Sequence, residues 1–571
     1  MPHHQPLSRR RVLSFTALLA AGHALTACAH SSSPADDNDK PLKLRFVNAA
    51  PTRSLDVATS GTLETARISA QVLEPLVRAN IDTGEPEPCL ATSWEFSDDR
   101  RTLTFHLRDG VHFHDGSPFA AEDVKTNVAR WQHAAGDDTA NAHIAFLQLF
   151  SPLNSPDGKT PLITDCTVEG SSVQFKLSRP SSSLLKALTQ PAFGIACPRS
   201  LDANGKFTAQ PVGTGAYTVA AHAEGKTELK RNESYWDEHP AVSDITFTTI
   251  TNPAKRFYSI LENQCDAYDL VGTMHYVDLA RSGILVQPRD PYAITYISIN
   301  LQHPVFQDVR VRQAVSYALN RPEIVKKHFP QGSHSATDFL PSLFMMKNDQ
   351  TSFFYANNTA KAQRLLKQAG YRNEPVEFYY PTDVSLATMT SPESLYSSLS
   401  SALVKAGFNI VPKPVRWADG YLDKISASSK DRGLALTGFV GSYRDPNAFF
   451  SRVLATTSEV VKDSADSQAP ATEKPAEPTS SPTPSSSTKA TPEPPTVTYQ
   501  QILTEIRTAD QLKDPEERKE AYKNINLLVA QLMPAVPIAY PVSSVALGKR
   551  VGYFPLSATG ISPLGRTQVH D

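Results

Sequence analysis

Residues 442–445, Ser-Tyr-Arg-Asp with a proline behind them, group a hydroxyl, a ring, a guanidinium and a carboxylate within four positions. The Arg444 guanidinium is a planar fork that can pair a carboxylate or another anion through two hydrogen bonds, and Asp445 or solvent is its competing partner. Tyr443 and Trp417 carry rings that either stack on a ligand or simply pack. His112 and His114 alternate on a strand-like run and share a face, but no third ligand accompanies them, so no metal site is expected. Cys89, Cys166, Cys197 and Cys265 form no C-x-x-C unit and read as one or two disulfides or as isolated buried thiols. The chain has no G-x-S-x-G elbow, no H-E-x-x-H and no P-loop lysine. An enzyme is therefore not expected, and no cofactor is called for.

One further cysteine, Cys28, belongs to a different chemistry. Residues 8–13, SRRRVL, precede an apolar stretch from Phe15 to Leu25, and Leu25-Thr26-Ala27-Cys28 closes the segment. A charged start, an apolar run too short to span a bilayer permanently and small residues before a cleavage point make 1–27 a secretory signal peptide. The last four residues resemble a bacterial lipobox. That resemblance implies that Cys28 is the lipid attachment site and places the protein at the cell membrane, lipid-anchored on the extracytoplasmic face. The twin arginines fit either a general or a twin-arginine export route. Residues 28–39, rich in serine and acid, read as a tether.

Removing residues 1–27, which hold three arginines and no acid, leaves 53 basic and 58 acidic side chains and a formal charge of −5. That balance argues against nucleic acid as a partner. The remainder is long enough for two or three domains with real cores. Between 463 and 496 stand eight prolines and no aromatic or large aliphatic residue, a composition that predicts a disordered insertion. A strand-like run, 434–440, precedes it and a helix follows, so it interrupts a domain rather than dividing two. In that helix Asp514 is the predicted cap, Pro515 takes the first position and Glu517 completes a capping box, while Ala521, Ile525, Leu528, Val529 and Leu532 make one apolar face until Pro534. Two more helices are predicted, one from Asp308 with Val311, Val315, Ala318 and Leu319 inside, and one with Ala362, Leu365, Leu366 and Ala369 closed by Gly370. Short strands such as Thr102–Leu107 and Tyr296–Asn300 lie between helices, which indicates an α/β, mixed α+β, fold class.

Read in order, several segments resemble the family 5 extracytoplasmic solute-binding proteins. The most specific is LRDGVHFHDGSPFAAEDVKTNVARW at 107–131; PVGTGAYTV at 211–219, RNESYWDEHP at 231–240, FQDVRVRQAVSYALNRPEIV at 306–325, AKAQRLLKQAGY at 360–371 and GFVGSYRDPNAFF at 438–450 follow. DPEERKEAYKNINLLVAQLMPAVPIAY at 514–540 completes the set. Gly213 and Gly215 suit a tight turn or a close backbone approach, and Asp115-Gly116 a hairpin turn. Ala120 departs from a threonine common at that helix start.

The resemblance implies a two-lobe fold of the class II periplasmic-binding type with an extra subdomain in lobe one. Lobe one is expected at 40–295 plus 541–571 and lobe two at 296–540, closing on a ligand about two crossing segments. The implied function is the substrate-binding protein of an ABC importer, which captures a peptide or related small solute and delivers it to a permease and ATPase complex. A nickel or metal-chelate binder of the same family, or a surface receptor or adhesin that kept the fold, are the alternatives. In peptide-binding relatives a carboxylate that pairs the peptide ammonium falls at the position of Ser442, which weakens simple peptide recognition here. The chelator-holding arginine of the nickel branch falls near Phe193 or Gly194, and no histidine follows Asp445-Pro446. The candidate ligand-binding residues are thus Arg444, Asp445, Ser442, Tyr443 and Trp417.

Overall fold

The computed structural model describes residues 42–570 except 53, 59, 137–143, 151–159, 427–431 and 456–496. Cys28, the signal and tether segments and the 463–496 insertion lie outside the described residues.

Alternation decides the first sheet. In strand Thr102–Leu107, Leu103, Phe105 and Leu107 turn inward while Thr102, Thr104 and His106 stay half-buried, the period-2 pattern of a sheet with one covered face. The sheet has four antiparallel strands in the order Ala91–Phe96, Thr102–Leu107, Ser172–Leu177, Ile163–Glu169. Helix Ala121–Gly136 buries Val124, Val128 and Trp131 in the same core, where Trp131 meets Phe193 edge-on at 5.2 Å.

Two larger sheets carry most of the rest, beside the two-stranded pairs Val77–Ala79 with Pro86–Pro88 and Val551–Tyr553 with Gln568–Val569. A seven-stranded sheet runs Leu285–Pro288, Ser544–Leu547, Ala267–Asp269, Lys43–Asn48, Asp244–Thr249, Lys226–Arg231, Tyr217–Ala223. A six-stranded sheet runs His334–Ser335, Ala535–Tyr540, Ala293–Ile299, Arg432–Val440, Pro375–Thr382, Asn409–Arg416. The chain passes from the first of these sheets to the second between Pro288 and Ala293 and returns between Tyr540 and Ser544. The two crossings run side by side, since Arg289 N–H donates to Ser543 O at 2.8 Å. Arg289 is also tied back to the seven-stranded side, its Nη1 lying 2.6 Å from Asp269 Oδ1.

The strand expected at 296–300 is Ala293–Ile299, and all seven of its residues are buried. It lies between two antiparallel neighbours, Ala535–Tyr540 and Arg432–Val440, and a strand covered on both faces shows no alternation from which to read its ends.

Helix starts follow the local chemistry. Asp514 accepts from the N–H groups of Glu516 and Glu517, both at 2.9 Å, and caps Pro515–Leu532. Asp308 caps Val309–Ala318 through Arg310 N–H at 2.8 Å. Ala120 has no capping oxygen, but Asp123 reaches back to the Ala120 N–H at 2.8 Å, so half of the reciprocal pair survives. Helix Thr359–Gln368 buries Ala362 and Leu366 and ends at Gly370, φ +75°.

The largest core is shared: the four-stranded sheet packs with Phe449, Phe450, Ile506 and Ile525 of helices Pro446–Ala455, Tyr499–Gln511 and Pro515–Leu532. Tyr499 Oη donates to Leu454 O at 2.8 Å, which joins the two ends that flank residues 456–496. Among the described residues no helix is long and apolar enough to cross a membrane.

Candidate functional site

A cavity of about 650 Å³ opens between the two sides of the molecule, within the roughly 300–1,000 Å³ of sites that enclose small ligands. One wall is the turn behind helix Leu63–Ser69 together with the C-terminal segment around Ser557–Gln568; another is the hairpin Val77–Ala79 and Pro86–Pro88. Tyr292 faces them from the first crossing and Ser442 to Arg444 from the chain that lies between the two crossings.

Glu74 sits in the first wall as an anchored acid. It interrupts the apolar run QVLEPLV, and a carboxylate buried there needs donors. Tyr235 Oη donates to Oε1 at 2.7 Å, while Trp236 Nε1 and Thr214 Oγ1 donate to Oε2 at 2.8 and 2.7 Å. Burial, opposed by those three bonds, holds the carboxyl above its ordinary range. In the hairpin, Arg78 lies between Glu87, at 3.1 Å, and Asp237, at 3.3 Å.

The residues at 442–445 point in different directions. Ser442 is half-buried at the cavity wall. Tyr443 lines the cavity but is only 3% exposed, and its carbonyl accepts from Tyr292 Oη. Arg444 Nη1 donates to Asp82 O at 2.8 Å, so it bonds across to the hairpin and not to Asp445. Asp445 faces the interior, 1% exposed. Arg518 holds both its oxygens, at 2.7 and 2.8 Å, and this pairing keeps the guanidinium charged. Asp510 completes the group 3.5 Å from Arg518. Trp417 is outside the cavity lining; it stacks on Tyr421, 6.1 Å between centroids, in a small cluster with Val415 and Ile425. The structure therefore brings Ser442, Tyr443 and Arg444 together and sends Asp445 and Trp417 elsewhere.

Glu74, Arg78, Tyr292 and Arg566 join this wall without having been singled out from the sequence. An acid inside an apolar run was the available signal for Glu74. For the others no local pattern exists.

The histidine pair and the cysteines have ordinary settings. Both ring nitrogens of His114 meet glycine backbone, Gly215 O at 2.9 Å and Gly213 N at 3.3 Å, and burial lowers its pKa. His112 bonds Gly110 O at 3.1 Å. Among the described residues no three His, Cys, Asp or Glu side chains are grouped to hold a metal. The four described cysteines are separate free thiols, all buried; burial pushes Cys166 up to about 12 and Cys265 to about 11.

The profile described as bacterial extracellular solute-binding proteins, family 5 Middle, matches residues 85–459. The chain belongs to this family. As a family 5 solute-binding protein it is a binder of solutes and not an enzyme, and its place is extracytoplasmic. It is 26% identical over 415 residues to the dipeptide-binding protein of Escherichia coli, covering 70% of this chain and 75% of that one. With heme-binding protein A of Haemophilus influenzae it shares 24% over 568 residues, 95% of this chain and 96% of the relative. The fold matches the ABC transporter-associated periplasmic binding protein DppA from Helicobacter pylori, solved in complex with peptide STSA, with a TM-score of 0.76 and 20% identity over 93% of this chain and 98% of that one. The fold is accordingly the two-lobe, mixed α/β architecture of family 5.

Proposed function

We propose that this family 5 protein is the lipid-anchored capture component of an ABC importer, which encloses a peptide or a related small solute between two lobes and delivers it to a permease and ATPase complex. The observation that carries the reading is the cavity between the two sides, where Ser442, Tyr443 and Arg444 face Gln71, Glu74 and Arg566. Its volume suits a short peptide, and relatives named for peptides support that ligand class. Two adjacent crossings, 289–292 and 541–543, supply the hinge; the division expected at 295/296 moves back to the first crossing, because Ala293 to Thr295 pair with Gly438 to Val440, and lobe one is then 40–288 plus 544–571 and lobe two 293–540. Ser442, Tyr443 and Arg444 are the ligand contacts in this reading, whereas Asp445 holds their turn through Arg518. Cys28 carries the acyl chains and residues 28–39 the tether. Isothermal titration with a set of di- and tripeptides tests the ligand class: saturable binding at one site per chain is expected, and no binding across the set would contradict it.

A further inference from the structure

Most of the charges that line the cavity are already engaged inside the protein. Glu74 accepts three hydrogen bonds, and Glu87 and Asp237 share Arg78. Glu74, whose three donors are neutral, the exposed Glu238, Arg444 and Arg566 have no ion-pair partner among the described residues, so two of these four groups are positive, and of the two acids only Glu238 lacks hydrogen-bond donors.

Arg444 is the better built of the two cations. It belongs to the chain between the crossings, yet its Nη1 donates to Asp82 O in the hairpin loop on the other side. Asn80 shapes that loop, its Oδ1 accepting from the N–H groups of Asp82 and Thr83, both at 3.0 Å. Gly84, φ +72°, lets the arginine stem pass: a Cβ there would lie 2.6 Å from Arg444 Cδ. The guanidinium is thus held in place by its stem and one donor, while Nε and Nη2 make no hydrogen bond to the described residues. Those two N–H groups form one side of the planar fork, the arrangement that receives a carboxylate.

We propose that Arg444 couples ligand capture to closure, and that the ligand presents a carboxylate or similar planar oxyanion to it: Nε and Nη2 take the anion while Nη1 holds the Asp82 carbonyl. This rests on the capture role proposed above. The bond to Asp82 joins the two sides in the arrangement described here, so an anion that orders the guanidinium favours that arrangement by differential binding. A free amino group is not demanded, because the only unengaged acid in the wall is exposed Glu238.

The test is titration calorimetry and small-angle scattering on the intact protein with dialanine, N-acetyl-dialanine and dialaninamide. Acetylation should change the affinity by less than about threefold, whereas amidation, which removes the anion, should weaken it by about tenfold or more. Arg444→Gln should abolish the difference between acid and amide, and Arg444→Lys, which keeps charge without the fork, should retain part of it. Gly84→Ala leaves the charge but displaces the stem, and should reduce the contraction in radius of gyration on binding. Equal binding of acid and amide, or loss of binding on acetylation, overturns this inference alone. Binding of none of the three overturns it together with peptide capture.

Discussion

Arg518 and Asp445 form a two-bonded pair, Nη1 to Oδ2 at 2.7 Å and Nη2 to Oδ1 at 2.8 Å, directly behind the wall made by Tyr443 and Arg444. The pair explains how an acid can stand beside Arg444 and leave that guanidinium uncompensated: Asp445 is committed to the helix Pro515–Leu532.

Removing one partner strands the other charge in the interior. Arg518→Met should cost about 3–5 kcal/mol of stability, measured by calorimetric unfolding. Because the two side chains act as a unit, Asp445→Asn combined with Arg518→Met should cost less than the sum of the single changes.

Stability should also carry a pH signature from Asp338, which bonds Tyr540 just before the second crossing. Burial raises the Asp338 carboxyl to about 6, although Tyr540 Oη and Leu340 N–H donate to it at 2.5 and 3.0 Å. The folded state therefore keeps a proton that the unfolded chain releases near its ordinary value of about 3.9. The contribution is complete below that value and is lost as pH rises through about 6, on the order of 2–3 kcal/mol in all. Relative to Asp338→Asn, the native protein should gain melting temperature between pH 7.5 and pH 4.5; a pH-independent difference would contradict this.

Gly213 is a packing requirement. A Cβ there would sit 2.2 Å from Val72 O, a backbone atom with no freedom to turn aside. Gly213→Ala should destabilise at or above the upper end of the roughly 1–3 kcal/mol typical of overpacking, seen in the urea midpoint.

How much of this was legible in the sequence depended on distance along the chain. Asp514-Pro515, Asp308 and Asp115-Gly116 act on neighbours within three residues, and all three form the cap or turn their types dictate. Strand Ala293–Ile299 was legible as a strand but not at its ends, because burial on both faces removes the alternation. The site was least legible. Arg444 reaches Asp82 across 362 positions and Asp445 meets Arg518 across 73, and no local pattern records which arginine takes which carboxylate. Glu74 could be suspected from its apolar run, but its donors at 214, 235 and 236 were set by the fold.

The anchor is tested apart from the ligand. In cells, Cys28→Ser should move the protein from the membrane fraction to the soluble one, because it removes the thiol that carries the acyl chains. Detergent phase partitioning reads the change, and unchanged partitioning would contradict lipid attachment.

The central claim, capture of a small solute in the cavity between the two sides, is tested most directly by native mass spectrometry of the protein purified from its own source. A population heavier than the chain by one small anionic solute is expected, and Arg444→Gln should deplete it. A single unliganded mass in both proteins, with no binding from a peptide and metal-chelate library, would contradict it.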